Sequence, residues 1–212
     1  MASQPPPTPA PTTPATPKIF THHWTAPLPS HPTLSLRRAT PADFPSRFSI
    51  ISNPTNRIFL DSPNKLWDPP AIADWEARQT GRYISSKTTF DCADCLIVDD
   101  GAVVGLCDLS TVEPGMWNAG LILNEGARGR GVGKAVMRAM IGIGLATGVG
   151  SVSVGTMRAN EGMRGVMRGL GVEGREEDVV IEGRGVVAEV LYVVRPGEWG
   201  APPEVEFGEV LE

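Results

Sequence analysis

The segment that most constrains this chain is a glycine-rich, basic loop that leads directly into an apolar helix. A strand pattern covers residues 117–123, glycines recur at alternate positions from Gly129 to Gly133, and apolar residues at helical spacing continue to Thr147. Successive backbone N–H groups in such a turn, at the start of a helix, form a concave and positively polarised surface. The order strand, glycine loop, helix therefore predicts a site for a pyrophosphate.

The side chains of this loop support the same prediction. Arg128, Arg130 and Lys134 place positive charge around it. The glycines matter because a β-carbon would block phosphate oxygens from the main chain or forbid the turn. The segment is neither a P-loop nor a good dinucleotide-binding fingerprint, because the required spacings are absent.

Length and charge limit the kinds of partner. A chain of 212 residues with 41% hydrophobic content is expected to form one globular domain. Its net charge of -5 argues against a surface that grips nucleic acid or anionic membranes. No apolar run is long enough to span a membrane, so we expect a soluble protein. We also expect a cytoplasmic location, and a small partner that is uncharged or cationic.

The two ends of the chain differ in composition from its middle. Residues 1–32 hold ten of the twenty prolines and are predicted to form a disordered leader that could be deleted with little loss of stability. The globular domain is expected to span residues 33–200. Residues 201–212, which contain Pro202, Pro203 and scattered acidic residues, are expected to form an exposed acidic tail.

Helices and strands follow from local signals in the domain. Thr40 and Pro41 predict a helix that ends near Asn53, and Asp68 caps a second helix that runs towards Gly81. Asp-Gly at residues 100–101 predicts a tight hairpin turn. Further strands are expected at residues 151–154, 179–181 and 186–194, and further helices after Gly133 and at residues 160–169.

Several kinds of chemistry are excluded by residue type. All three histidines, at residues 22, 23 and 31, fall in the predicted leader, so the domain is expected to work without imidazole. That argues against triad hydrolysis and catalytic zinc. Cys92 and Cys95 form a C-x-x-C pair without further ligands, so no metal site is expected.

At this point the residues resemble a known family, the GNAT acetyltransferases. Its acetyl-CoA signature, [QR]-x-x-G-x-[GA], is matched by Arg128, Gly131 and Gly133. The segment 154–172, with Asn160 and a closing Gly-Leu-Gly-Val, is similar to the family's second block. Residues 36–43 and 195–199 resemble the subgroup that contains the ribosomal-protein N-terminal acetyltransferases.

The resemblance implies a mixed α/β fold, the GNAT-like acyl-CoA N-acyltransferase fold. Its central sheet is mostly antiparallel and flanked by helices, with a splayed strand pair ending near Leu123 and Val154. Acetyl-CoA would be the co-substrate, with pantetheine along the first strand and against Asn160, and with pyrophosphate on residues 128–134. The implied cofactor-binding residues are Leu121, Leu123, Arg128, Gly129, Arg130, Gly131, Val132, Gly133, Lys134 and Asn160.

The proton-transfer residues of many relatives are missing. Asn118 stands where a glutamate base is usual, and Met167 stands where a tyrosine acid is usual. Alignment of an amine on an activated thioester, or proton transfer through water, could still support the reaction. Glu113 and Tyr192 are candidate substitutes, although a solvated turn residue and a core aromatic are the more ordinary interpretations of these two positions.

Three functions remain open from the sequence. The leading prediction is an N-acetyltransferase that acts on a primary amine of a small molecule or of a peptide or protein N-terminus. The alternative is a GNAT-fold module that binds acyl-CoA with little or no turnover. The presence of Asn118 and Met167 favours this alternative. A nucleotide-phosphate binder unrelated to acyl transfer rests on the glycine loop alone.

Overall fold

The computed structural model describes residues 18–60, 64–181 and 185–212. The helices in this part of the chain are α1 Lys18–Thr21, α2 Phe44–Ser52, α3 Pro54–Arg57, α4 Pro69–Thr89, α5 Val132–Ala146 and α6 Glu161–Gly169. The strands are β1 His22–Pro27, β2 Leu34–Arg38, β3 Cys92–Asp99, β4 Ala102–Glu113, β5 Met116–Leu123, β6 Ser151–Met157, β7 Gly174–Ile181, β8 Gly185–Val194 and β9 Glu206–Val210.

Within the described residues, nine strands form one sheet in the order β7-β8-β6-β5-β4-β3-β2-β1-β9. Neighbouring strands are antiparallel, apart from the parallel pair β5 and β6. The two sides of the sheet are covered by different helices, since α5 packs on Leu109 whereas α4 reaches the adjacent Asp108. The predicted mixed α/β fold, mostly antiparallel and flanked by helices, is confirmed.

Local signals set most element boundaries. Asp68 caps α4 through a hydrogen bond from the Ala71 N–H, and Pro69 opens the helix as predicted. The helix does not end at Gly81, however, but continues to Thr89, because one exposed glycine costs only about 1 kcal/mol against a well-anchored helix. It ends where Phe90 adopts a left-handed conformation with φ of 54°.

The predicted hairpin between β3 and β4 is present. Asp100 and Gly101 have φ values of 49° and 78°, as a type I′ turn requires. β7 starts at Gly174, earlier than the sequence predicts, and pairs with β8 along its length. The three cysteines lie in β3 and β4, where they are free and buried.

The predicted leader of residues 1–32 is wrong at its C-terminal boundary. Residues 22–27 form β1, which pairs with β2 and with β9. Phe20 is fully buried and Trp24 is 3% exposed, and the Trp24 indole N–H donates to the Ile19 carbonyl at 3.0 Å. A few large apolar side chains therefore anchor a proline-rich segment that composition alone assigns to solvent. Residues 1–17 lie outside the described residues.

The exposed acidic tail also has to be corrected. Residues 206–210 form β9 at the edge of the sheet, and the Leu211 N–H donates to the Thr21 carbonyl at 2.8 Å. Pro202 lies against Gly142 of α5, and the Trp199 indole N–H donates to the Arg138 carbonyl. Backbone pairing orders this segment although its strand side chains stay exposed. The predicted domain boundaries at 33 and 200 therefore cut through the folded unit.

The core lies between the sheet and α5. Fully buried side chains of α5, including Val136, Met137 and Met140, pack on Leu109 and Val154 of the central strands. This packing fixes the position of the N-terminus of α5 relative to the end of β5. Among the helices that the structure describes, none is both long and apolar enough to cross a membrane.

Trp24→Ala tests the corrected N-terminal boundary. We expect the free energy of unfolding to fall by about 3–5 kcal/mol, because the substitution removes a buried indole and its hydrogen bond. Urea unfolding measures this change. His23→Ala, at an exposed position of the same strand, is the matched control and should change stability by less than about 0.5 kcal/mol. Equal stability of the two variants would show that this segment contributes nothing to the core, as expected of a disordered leader.

Candidate active site

The central feature of the site is the divergence of β5 and β6. These parallel strands pair at only three positions, from Met116–Ser151 to Asn118–Ser153. Beyond that point β5 continues to Leu123 beside β4, and β6 continues to Met157 beside β8. The predicted splay is therefore present, and it leaves two facing strand edges whose backbone groups do not pair with each other.

The glycine loop connects the end of β5 to α5. Gly129 and Gly131 have φ values of 72° and 81°, in the left-handed region that favours glycine. Gly131 is the N-cap of α5, and among the described residues no side chain caps this helix. The first N–H groups of a long helix thus point from a glycine turn towards the splay, as an anion site requires.

Gly133 is needed for packing. A β-carbon on Gly133 would lie 3.1 Å from Val166 of α6 and 3.5 and 3.6 Å from Leu121 and Leu123 of β5. The first turn of α5 therefore rests directly on the strand whose edge is free. Leu121 and Leu123, both predicted to contact the cofactor, are half-buried at this junction.

Arg128 holds the loop in place. Its guanidinium donates through Nε and Nη2 to the Leu123 carbonyl at 3.0 and 2.9 Å, and through Nη2 to Asn56 Oδ1 at 2.6 Å. The Asn56 amide in turn donates to Asn124 Oδ1 at 2.8 Å. The first residue of the signature thereby ties the loop to β5 and α3, which positions the glycines that follow.

The other basic residues of the loop, Arg130 and Lys134, are also exposed to solvent. Arg130 pairs with Asp99 at 3.2 Å, with 58% of its side chain exposed. Lys134 is exposed and its stem runs past Gly169 at the end of α6. Val132 is 2% exposed, so its side chain is not accessible to a ligand. Any contact of Val132 with a ligand would be through its backbone N–H.

His31 is a neighbour of the loop that sequence reasoning missed. A β-carbon on Gly131 would lie 3.4 Å from His31 Nε2. The imidazole reaches the loop because the turn before β2 is held by hydrogen bonds from His31 N–H to the Leu28 carbonyl and from Leu34 N–H to the His31 carbonyl. The histidines of residues 22–31 therefore belong to the folded domain, and the expectation of a domain without imidazole is wrong.

Asn160 lies at the far side of the splay. Its Oδ1 accepts from the Met163 N–H at 3.2 Å and caps α6, while its Nδ2 donates to Thr156 Oγ1 at 2.9 Å. These bonds fix the start of α6 beside the end of β6. The residue is half-buried at the place where the resemblance sets the pantetheine arm.

The candidate catalytic residues are not brought together. Asn118 stands where the strands part, and its Oδ1 lies 3.4 Å from the Gly155 N–H of β6. Glu113 is exposed beside the β4–β5 turn. Tyr192 is 5% exposed within the core cluster, and Met167 is fully buried there. Of these four side chains, only Asn118 lies at the point of divergence.

A group of charged residues lies near Asn118 on the side of the sheet that faces α4. Arg47 pairs with Asp94 at 2.9 Å, and Arg82 approaches Asp94 at 3.4 Å and Asp108 at 3.5 Å. The sequence reasoning did not single out these aspartates. The signal was present, since Asp94 and Asp108 are the charged residues inside the otherwise apolar runs 92–98 and 103–109.

Comparison with solved structures shows the same fold in known acetyltransferases. A Salmonella typhimurium acetyltransferase that modifies the N-terminal serine of the 50S ribosomal protein L7/L12 has a TM-score of 0.65 and 15% identity, covering 79% of this chain and 98% of its own. Mycobacterium smegmatis RimJ, in complex with CoA-disulfide, has a TM-score of 0.64 and 14% identity, covering 84% and 88%.

Spermidine N-acetyltransferase from Vibrio cholerae, in complex with CoA and spermine, is a third similar structure. Its TM-score is 0.64 at 11% identity, covering 78% of this chain and 97% of its own. None of the curated proteins searched matches the sequence significantly. The family model described as an acetyltransferase (GNAT) domain matches residues 33–173, which is most of the chain. With its splayed strands and glycine loop, the chain belongs to the GNAT acetyltransferase family.

Proposed function

We propose that this protein transfers the acetyl group of acetyl-CoA to a primary amine of a small molecule or of a peptide or protein N-terminus. The observation that carries the proposal is the junction of the β5–β6 splay with the uncapped, glycine-led N-terminus of α5. The splay offers a free strand edge, and the N-terminus of α5 offers a cluster of N–H donors. A ligand with an amide-bearing arm and a pyrophosphate suits both.

Each part of acetyl-CoA has a matching group of residues. The pantetheine amides would pair with the β5 edge near Leu121 and Leu123 and would meet Asn160. The pyrophosphate would accept from backbone N–H groups of the loop, with Arg130 and Lys134 adding charge. Arg128 would act through the loop that it holds, because its own guanidinium is bonded to Leu123 and Asn56.

The acceptor class is supported by the similar structures and by charge. Two of them are named for acetylation of a ribosomal-protein N-terminal serine and of spermidine. A net charge of -5 suits a cationic amine and does not suit nucleic acid. We also propose a cytoplasmic location, since three free, buried cysteines fit a reducing compartment.

A second candidate function is an acyl-CoA-binding module with little or no turnover. It is favoured by Met167, which is fully buried where many relatives carry a tyrosine acid, and by Asn118, whose amide cannot take a proton at the splay. Both candidates predict binding of acetyl-CoA, so only turnover separates them.

Turnover with a panel of amines tests the proposed function. The purified chain and acetyl-CoA are incubated with spermidine, with lysine, and with short peptides that begin with serine or alanine, and the release of CoA thiol is followed. We expect at least one amine to give release above the rate of acetyl-CoA hydrolysis without amine. Mass spectrometry should show an acetylated product. Tight acetyl-CoA binding without release for any amine would support the binding module instead.

Gly131→Glu tests the cofactor site. We expect acetyl-CoA affinity to fall by about 100-fold or more, equivalent to roughly 3 kcal/mol, because a carboxylate at the N-cap of α5 would add bulk and negative charge where the pyrophosphate is proposed to bind. Gly148→Glu is the matched control, since Gly148 has a φ of 89° and lies beyond the other end of the same helix. Both substitutions place a glutamate at a residue with positive φ, so they cause similar backbone strain. A difference in acetyl-CoA affinity between them, measured by calorimetric titration, therefore reports the loss of the site. Equal affinity of the two variants would contradict the assignment.

His31→Ala tests the contribution of the neighbouring imidazole. We expect acetyl-CoA to bind about fivefold more weakly, the effect of losing one hydrogen-bond donor of about 1 kcal/mol. His23→Ala, which removes an exposed imidazole from β1, should leave the affinity unchanged. If the weakening is the same for acetyl-CoA and for acetyl-pantetheine, which lacks the pyrophosphate, His31 does not act on the phosphates.

A further inference from the structure

We propose that Asp108 is the general base that takes the proton from the acceptor amine. The proposal rests on the proposed function, because it assigns a role in that reaction. Asp108 would supply the proton acceptor that the amide side chain of Asn118 cannot provide.

The side chain of Asp108 points to the side of the sheet that faces α4. Its neighbours Cys107 and Leu109 are 3% and 1% exposed and belong to the core beneath α5. Because side chains alternate along a strand, Asp108 faces the opposite side, where Arg82 of α4 lies. The α5 side is filled by core residues, so an acceptor amine has to approach from the side that Asp108 faces.

Gly120 leaves room for the Asp108 carboxylate to lie over β5. The two residues are opposite each other in β4 and β5, and a β-carbon on Gly120 would lie 2.2 Å from Asp108 Oδ1. The carboxylate thus occupies the space above the Gly120 backbone. Asn118, two residues earlier in β5 and on the same face, contacts Gly155 at the point where the strands part. Asp108 is therefore the carboxylate of β4 that leans over β5 beside this point.

Asp108 is less neutralised and more exposed than its neighbour Asp94. Asp94 has Arg47 at 2.9 Å and Arg82 at 3.4 Å, and 13% of its side chain is exposed. Asp108 has only Arg82, at 3.5 Å, among the cation contacts described, and 33% of its side chain is exposed. The better-paired aspartate holds α2 and α4 to the sheet, whereas Asp108 keeps a carboxylate surface for a ligand.

The surroundings also make Asp108 a stronger base. Burial and the nearby Asp94 charge raise the pKa of the Asp108 carboxyl, against the opposing effects of Arg82, a hydrogen bond from Ser110, and Arg47. A base whose pKa lies closer to neutrality accepts a proton more readily. The titratable and charged groups that face this region are Asp94 of β3, Arg47 of α2, Arg82 of α4 and Cys92 of β3.

The reaction balances with one proton passing to Asp108. The acceptor arrives as an ammonium ion and gives one proton to the carboxylate. The free amine forms the N–C bond with the thioester carbonyl as the C–S bond breaks, and the second nitrogen proton leaves with the CoA sulfur as a thiol. Asp108 then returns its proton to water through its exposed surface.

Other candidate bases are placed less well. The Glu113 carboxylate is exposed at the β4–β5 turn, and Tyr192 packs in the core on the α5 side. Glu189 of β8 lies across the splay, with its Oε2 3.7 Å from the place of a β-carbon on Gly155. Glu189 therefore serves as the comparison in the experiment.

The test is kcat/KM against pH for wild type, Asp108→Asn and Glu189→Gln, with spermidine and a serine-initiated hexapeptide as acceptors. With the carboxylate present, the wild type accepts the ammonium form, so kcat/KM for spermidine should be level around pH 7 and fall at lower pH as Asp108 is protonated. Asp108→Asn should lower kcat/KM at pH 7 by about 100-fold. The residual rate should then rise about tenfold per pH unit, since only free amine reacts.

Two further measurements keep the result interpretable. Asp108→Asn should retain the wild-type Kd for acetyl-CoA, because Asp108 lies outside the cofactor loop. Gly120→Ala keeps the acid but displaces its carboxylate, and it should also lower kcat by at least about tenfold. A level profile retained in Asp108→Asn and lost in Glu189→Gln would overturn the proposal. A wild type that binds acetyl-CoA but acetylates no amine would contradict the proposed function itself, and the assignment of Asp108 with it.

Discussion

The early separation of β5 from β6 is the constraint on which the rest of the site depends. After three paired positions the strands follow different partners, β4 on one side and β8 on the other. Backbone groups at such an edge need partners, so a gap inside a sheet is costly unless a ligand or water occupies it. Asn118 and Asp108 lie beside this divergence, on the side of the sheet that faces α4. Under the proposed function, this one departure from regular pairing would provide both a strand edge for the cofactor and an approach for an amine.

The loop after β5 works because distant segments hold it. Arg128 bonds to Leu123 and to Asn56, so α3 supports a turn more than sixty residues further along the chain. Gly131 supplies the left-handed N-cap, while Gly133 allows α5 to rest on β5. The signature residues therefore divide their tasks between anchoring the loop, turning the chain and close packing. Under the proposed function, direct contact with phosphate would fall mainly to main-chain N–H groups.

Sequence reasoning succeeded where the determinants are local. The Asp100–Gly101 turn and the start of α4 at Asp68 follow from a few adjacent residues, whereas the splay followed from the family resemblance of the motif at Arg128 to Gly133. It failed where strand pairing joins distant segments. β1 and β9 pair with each other through backbone groups, and proline-rich or acidic composition does not reveal such pairing. The approach of Asp108 to Gly120 was missed for the same reason, since it is a cross-strand contact.

The proposed function requires binding of acetyl-CoA by the glycine loop and the β5 edge. It is tested most directly by recording the backbone amide spectrum of the 15N-labelled protein during a titration with CoA. We predict the largest chemical-shift changes at the amides of residues 129–134 and 119–123, with smaller changes at Asn160. Changes confined to other surfaces, such as the 330 Å³ cavity between β1, β2 and β9, with the loop amides unmoved at saturation, would contradict it.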